Sequence, residues 1–197
     1  KSLINMAEVD NMETIKILAS LASRLSQGEI LQIEKAMEKT MDEMTYFKMI
    51  SDKTASLFSC ACRLGAMTTT DDQEKIVALS DYGELLGQAY QIKDDLFDIA
   101  GNIDNIGKPS GYDLKRNMLT LPLIYVFDKK TTTQKIQLKI KLKNFVKRND
   151  LKRIRNLIQA EGGMDYAKTR LKEISTKAEE KLEIFENNDI KDSLILA

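Results

Sequence analysis

The sequence predicts an all-α protein. Leu, Met, Ala, Glu and Lys dominate it, and these are good helix formers. Glycine occurs nine times and proline twice, so breakers are few. Apolar residues recur at three- and four-residue spacing, as in MAEVDNMETIKILASLASRLSQGEILQIEKAMEKT, whereas strand-like alternation is scarce. The 197 residues suffice for one domain, 1–197, with a substantial core.

Taken in order, the pattern predicts helices at 12–41, 43–66, 71–100, 117–128, 132–147, 150–160 and 163–186, with a last one starting near 189. Within the second, YFKMISDKTASLF is amphipathic and sets Lys53-Thr54 between Ile50 and Leu57. Thr70-Asp71-Asp72 before QEKIVAL reads as a helix start, with carboxylates near the positive end of the dipole. AGNIDNIGKPSGYDLKRNM, residues 100–118, is the main irregular segment and has the ingredients of an active-site flap or of a long connection. The basic stretch KIQLKIKLKNFVKRNDLKRIRN keeps its apolar residues to one side, so it reads as a solvated lysine face. Gly162-Gly163 separates two amphipathic helices.

Composition narrows the chemistry. Thirty Lys plus Arg balance thirty Asp plus Glu, so no global basic field recruits nucleic acid. No apolar run is long enough to span a membrane, and KSLINMAEVDN does not resemble a signal peptide. Cys60 and Cys62 are two residues apart in a helical context, on different faces. They read as small core residues in a reducing, cytoplasmic setting. The chain has no histidine, which excludes Ser-His-Asp and Cys-His catalysis and leaves a structural zinc site short of ligands.

GQAYQIKDDLFDIAGN, residues 87–102, raises the central question. Asp94 and Asp98 are four residues apart on one helix face, Asp95 borders the same patch, and Gln91 extends it by a turn. Like charges at this spacing destabilise an isolated helix. A hard divalent cation resolves the conflict: magnesium takes oxygen ligands, commonly one or two carboxylates plus substrate phosphates. A solvated acidic face is the commoner fate of such a cluster. Against it, Tyr90, Ile92, Leu96, Phe97 and Ile99 take up most of the helix circumference. Gly83 and Gly87, one turn apart, further suggest close packing. Lys53-Thr54 and Lys108 are possible phosphate contacts, although a lysine snorkelling at a core edge is the usual reading.

GQAYQIKDDLFD, followed by GKPSGYDL and TLPLIY, resembles the second aspartate-rich region of the trans-polyprenyl diphosphate synthases. RLSQGEILQIE and DKTASLFSCACRLGA resemble the helices that precede it, and the likeness covers essentially the whole chain. The resemblance implies an isoprenoid-synthase-type helix bundle around a central apolar cavity. It implies a cytoplasmic, usually homodimeric transferase that joins isopentenyl diphosphate to an allylic diphosphate with Mg2+. It also implies that Asp94 and Asp98 coordinate magnesium on the allylic diphosphate, with Asp95 in or beside that shell, as the catalytic aspartates. Lys53 and Lys108 would contact the leaving diphosphate, Thr54 and Gln91 would line the same site, and Tyr90 would flank the homoallylic substrate.

The match has two departures. The family's other aspartate-rich motif, and the basic residues upstream of it, have no counterpart here; the first aspartate is Asp10. The resemblance therefore implies a C-terminal portion whose N-terminal helices are missing, inactive in condensation by itself and silent on product length. Second, Met118 stands where family members commonly carry a lysine. A non-catalytic, prenyltransferase-like regulatory subunit is the alternative function, and a helical binding module without phosphate chemistry is a third.

Overall fold

A computed structural model describes residues 11–100, 116 and 118–197. Among these, every regular element is helical: α1 (Met12–Glu38), α2 (Glu43–Ile50), α3 (Ser56–Met67), α4 (Gln73–Ala100), α5 (Leu121–Asp128), α6 (Thr132–Lys147), α7 (Leu151–Ala160), α8 (Gly163–Glu180) and α9 (Asp189–Ile195). None is long and apolar enough to cross a membrane.

The helix expected over 12–41 ends at Glu38, and three larger differences from the periodicity reading follow. The helix expected over 43–66 is interrupted by a π-helical turn, Ser51–Ala55, closed by the Ser56 N–H donating to the Ser51 carbonyl five residues back. The helix expected from 117 begins at Leu121, with Pro122 in its first turn, where a missing N–H costs nothing. The helix expected to reach 186 ends at Glu180 and continues as a series of turns. Caps fix several starts. Asp42 accepts from the Thr45 N–H at 2.7 Å, and Asp72 accepts from the Glu74 N–H at 3.0 Å. Thr131 and Gln134 form a reciprocal capping box, and Asp150 caps α7.

The chain divides into two compact units. The first takes residues 11–30, 49–89 and 173–197. Tyr82, Ala178 and Leu182 form a buried cluster there, flanked by Leu79, Leu86 and Phe185. The Tyr82 hydroxyl donates to the Leu194 carbonyl at 2.6 Å, and burial raises its pKa above the ordinary value. Cys60 and Cys62 are both free thiols, pushed up in pKa by burial.

The second unit takes 31–48 and 90–172. Its core includes α5, whose Leu121, Leu123, Ile124 and Val126 are fully buried, as expected of a short helix that is apolar all round. Gly163 allows α8 to meet α5: a Cβ there would lie 2.3 Å from the Pro122 carbonyl oxygen. The preceding Gly162 takes φ +79°, a left-handed conformation that makes the turn between α7 and α8.

Candidate functional site

The aspartates sit in the second unit, on residues 90–100 of α4. Ile92, Leu96 and Ile99 form the buried face at three- and four-residue spacing. Asp95 falls on that face and is only 3% exposed. Its carboxylate accepts from the Tyr46 hydroxyl at 2.7 Å on one oxygen and from the Gln91 side-chain amide at 3.0 Å on the other. Without donors, a buried carboxylate would neutralise, and these two bonds help to make the position tenable.

Asp94 and Asp98 flank it, half-buried and one turn apart. Among the described residues, Asp94 has no hydrogen-bond or ion-pair partner. Tyr90 and Phe97 are 55% and 47% exposed, so the circumference is less fully covered than the sequence suggests. Among the described residues no three Asp, Glu or Cys side chains converge on a point where a metal could sit. Two half-buried carboxylates with oxygen-only chemistry nevertheless fit magnesium, which draws its remaining ligands from water and substrate phosphates.

Lys53 and Thr54 belong to the first unit, within the π-turn, and both are half-buried. Single π-turns inside helices occur frequently at functional sites. Two glycines let neighbouring helices lie against this turn, and a third lets one lie against the helix that follows it. A Cβ at Gly28 of α1 would lie 2.5 Å from the Lys53 backbone nitrogen, and one at Gly87 would lie 2.5 Å from the Ala55 Cα. One at Gly83 would lie 2.6 Å from the Phe58 carbonyl oxygen, so the close packing expected at Gly83 and Gly87 is present. The Lys53 ammonium lies 3.4 Å from the Glu29 carboxylate.

A polar network underpins the turn. The Arg24 guanidinium donates from Nε to Asp52 at 2.9 Å, from Nη1 and Nη2 to Glu84 at 3.0 and 2.8 Å, and from Nη2 to Ser51 at 2.8 Å. Ser51 also donates to Glu84. The bond that Arg24 donates to Glu84 raises the Arg24 pKa most, with Asp52 adding to it against the opposing effect of burial.

Sequence reading overlooked Tyr46, Arg24, Asp52 and Glu84, all long-range partners. The one local signal was the Ser51-Asp52 pair directly before Lys53. Lys108 lies outside the described residues. Met118 is half-buried, and its sulfur accepts from the Gln32 side-chain amide at 2.9 Å.

A family model described as polyprenyl synthetase matches residues 1–158. The octaprenyl diphosphate synthase of Haemophilus influenzae is 31% identical over 192 residues, 96% of this chain and 58% of that protein. The chain thus spans just under three fifths of that relative's length. A decaprenyl diphosphate synthase from Rhodobacter capsulatus superposes with a TM-score of 0.84 at 28% identity, covering 98% of this chain and 60% of that one. A polyprenyl synthase from Caulobacter crescentus CB15, complexed with calcium and isoprenyl diphosphate, gives 0.83 at 29% identity over 96% of this chain and 58% of that one.

Proposed function

This chain belongs to the polyprenyl synthetase family and has its helix bundle, and on that premise we propose that the protein carrying it is a magnesium-dependent, chain-elongating prenyltransferase. It would condense isopentenyl diphosphate with an allylic diphosphate to a longer trans-polyprenyl diphosphate, as a cytoplasmic homodimer. One observation carries the reading. The DDLFD turn of α4 buries and tethers its middle aspartate, Asp95, while keeping Asp94 and Asp98 half-exposed one turn apart. The Caulobacter relative, with a divalent cation and an isoprenyl diphosphate bound, supports the same substrate class.

In this reading Asp94 and Asp98 hold magnesium, with Asp95 beside them as the third member of the acidic patch. Bound there, the metal supplies neutralisation of negative charge on the diphosphate. Lys53 and Lys108 donate to the departing diphosphate, and the Thr54 hydroxyl and Gln91 amide line the same group. As the allylic C–O bond breaks and the new C–C bond forms, positive charge spreads over the allylic carbons. Tyr90, an exposed aromatic on the aspartate helix, offers a ring face to that charge. One proton is then lost, and a diphosphate oxygen accepts it in a chain without histidine.

The test uses the full-length protein with isopentenyl diphosphate and an allylic primer. The expected result is elongation that requires Mg2+ and falls by about 10²-fold or more in Asp94→Ala. Absence of Mg2+-dependent elongation, or full activity in Asp94→Ala, contradicts the proposal.

A further inference from the structure

We infer that Arg24 and Gly28, one turn apart on α1, are positioning residues for Lys53, acting by holding the π-turn in register. The inference rests on the diphosphate reading above. A π-turn inserts one extra residue into a helix, and each residue of an α-helix turns the side chain by about 100°. Relaxation of Ser51–Ala55 to ordinary α-helix would therefore re-aim Lys53 and Thr54 relative to their flanking helices. The register depends on what grips the turn. Arg24 grips its first two residues, at 2.8 Å on Ser51 and 2.9 Å on Asp52. Gly28 lets α1 lie directly on the third: a Cβ there would stand 2.5 Å from the Lys53 nitrogen and 2.8 Å from its Cα. Glu84 holds the guanidinium from α4 through both carboxylate oxygens.

Stability alone is a weak reason for such a network. Asp52 is 7% exposed, and buried ion pairs are often matched or bettered by apolar residues of the same volume. Its value lies in geometry: Arg24 reaches two successive residues of the turn with a rigid fork that lysine cannot reproduce.

A double-mutant cycle on the full-length protein tests this, with calorimetric titration of inorganic pyrophosphate in excess Mg2+ as the readout. Arg24→Lys should weaken pyrophosphate binding about tenfold, yet by less than about twofold once Lys53 is already alanine, since it acts through that lysine. Losses that simply multiply in the double variant would overturn the inference and leave the diphosphate reading standing. Failure of the unsubstituted protein to bind pyrophosphate would overturn the diphosphate reading and this inference with it. Gly28→Ala and Glu84→Gln, taken through the same cycle, supply the answer should Arg24→Lys not fold.

Discussion

Two buried carboxylates stand next to Lys53 and Asp94, and the partners shown for them differ in kind. Asp52 precedes Lys53 and is met by a guanidinium. Asp95 follows Asp94 and is met by a phenol and a carboxamide. Both arrangements supply the hydrogen bonds that burial demands. At Asp52 the guanidinium also supplies a countercharge. Two unit charges about 4 Å apart near a protein surface interact by about 4 kcal/mol. An uncompensated carboxylate beside Lys53 would offset that lysine's attraction for an anion, and Arg24 prevents this. Beside Asp94, the Tyr46 hydroxyl and the Gln91 amide fix the Asp95 side chain in place.

The comparison breaks most visibly through stability. Arg24→Met removes the cation and leaves Asp52 buried, so unfolding in denaturant should show a loss of about 3 kcal/mol. Asp95→Asn keeps the shape but removes the charge, so Mg2+-dependent pyrophosphate binding should weaken. Unchanged stability in Arg24→Met, or unchanged binding in Asp95→Asn, would contradict these expectations. Next in size is Gly87→Ala, where the added Cβ meets the Ala55 Cα; the expected loss is about 2 kcal/mol. Gly65 is the internal control. A Cβ there meets nothing within 4 Å, so Gly65→Ala should be neutral or stabilising by up to about 1 kcal/mol in the same measurement.

A smaller effect probes the support of the Asp95 side. Asp42 caps α2, the helix that carries Tyr46, and the Thr45 N–H and hydroxyl hold its carboxyl below the ordinary value. A depressed folded-state pKa contributes stability above the unfolded value that is lost as pH falls through the folded one. Asp42→Ala should therefore cost about 1 kcal/mol near neutrality, with the gap to the unsubstituted protein closing in acid. A gap that stays constant down to the acid end would show that the capping charge plays no part.

The fold was legible because its helices are written in local periodicity: Ile92, Leu96 and Ile99 show the buried face of α4 without any tertiary knowledge. Gly83 and Gly87 likewise announced a close approach, though not that Phe58 and Ala55 were the partners. The π-turn was not legible, because SDKTA contains nothing that distinguishes an i+5 turn from an i+4 one; its cause lies in Arg24 and Glu84, 27 and 33 residues from Ser51. Tyr46 escaped for the same reason, being 49 residues from Asp95. The aspartate spacing identified the patch, but not that the middle member would be the buried one.

The central claim is that DDLFD holds a divalent cation on a diphosphate. Calorimetric titration of inorganic pyrophosphate into the full-length protein, with Mg2+ and then with EDTA, tests it most directly. Binding should require Mg2+ and disappear in Asp94→Ala/Asp98→Ala; equal affinity in EDTA, or in that double variant, would contradict it.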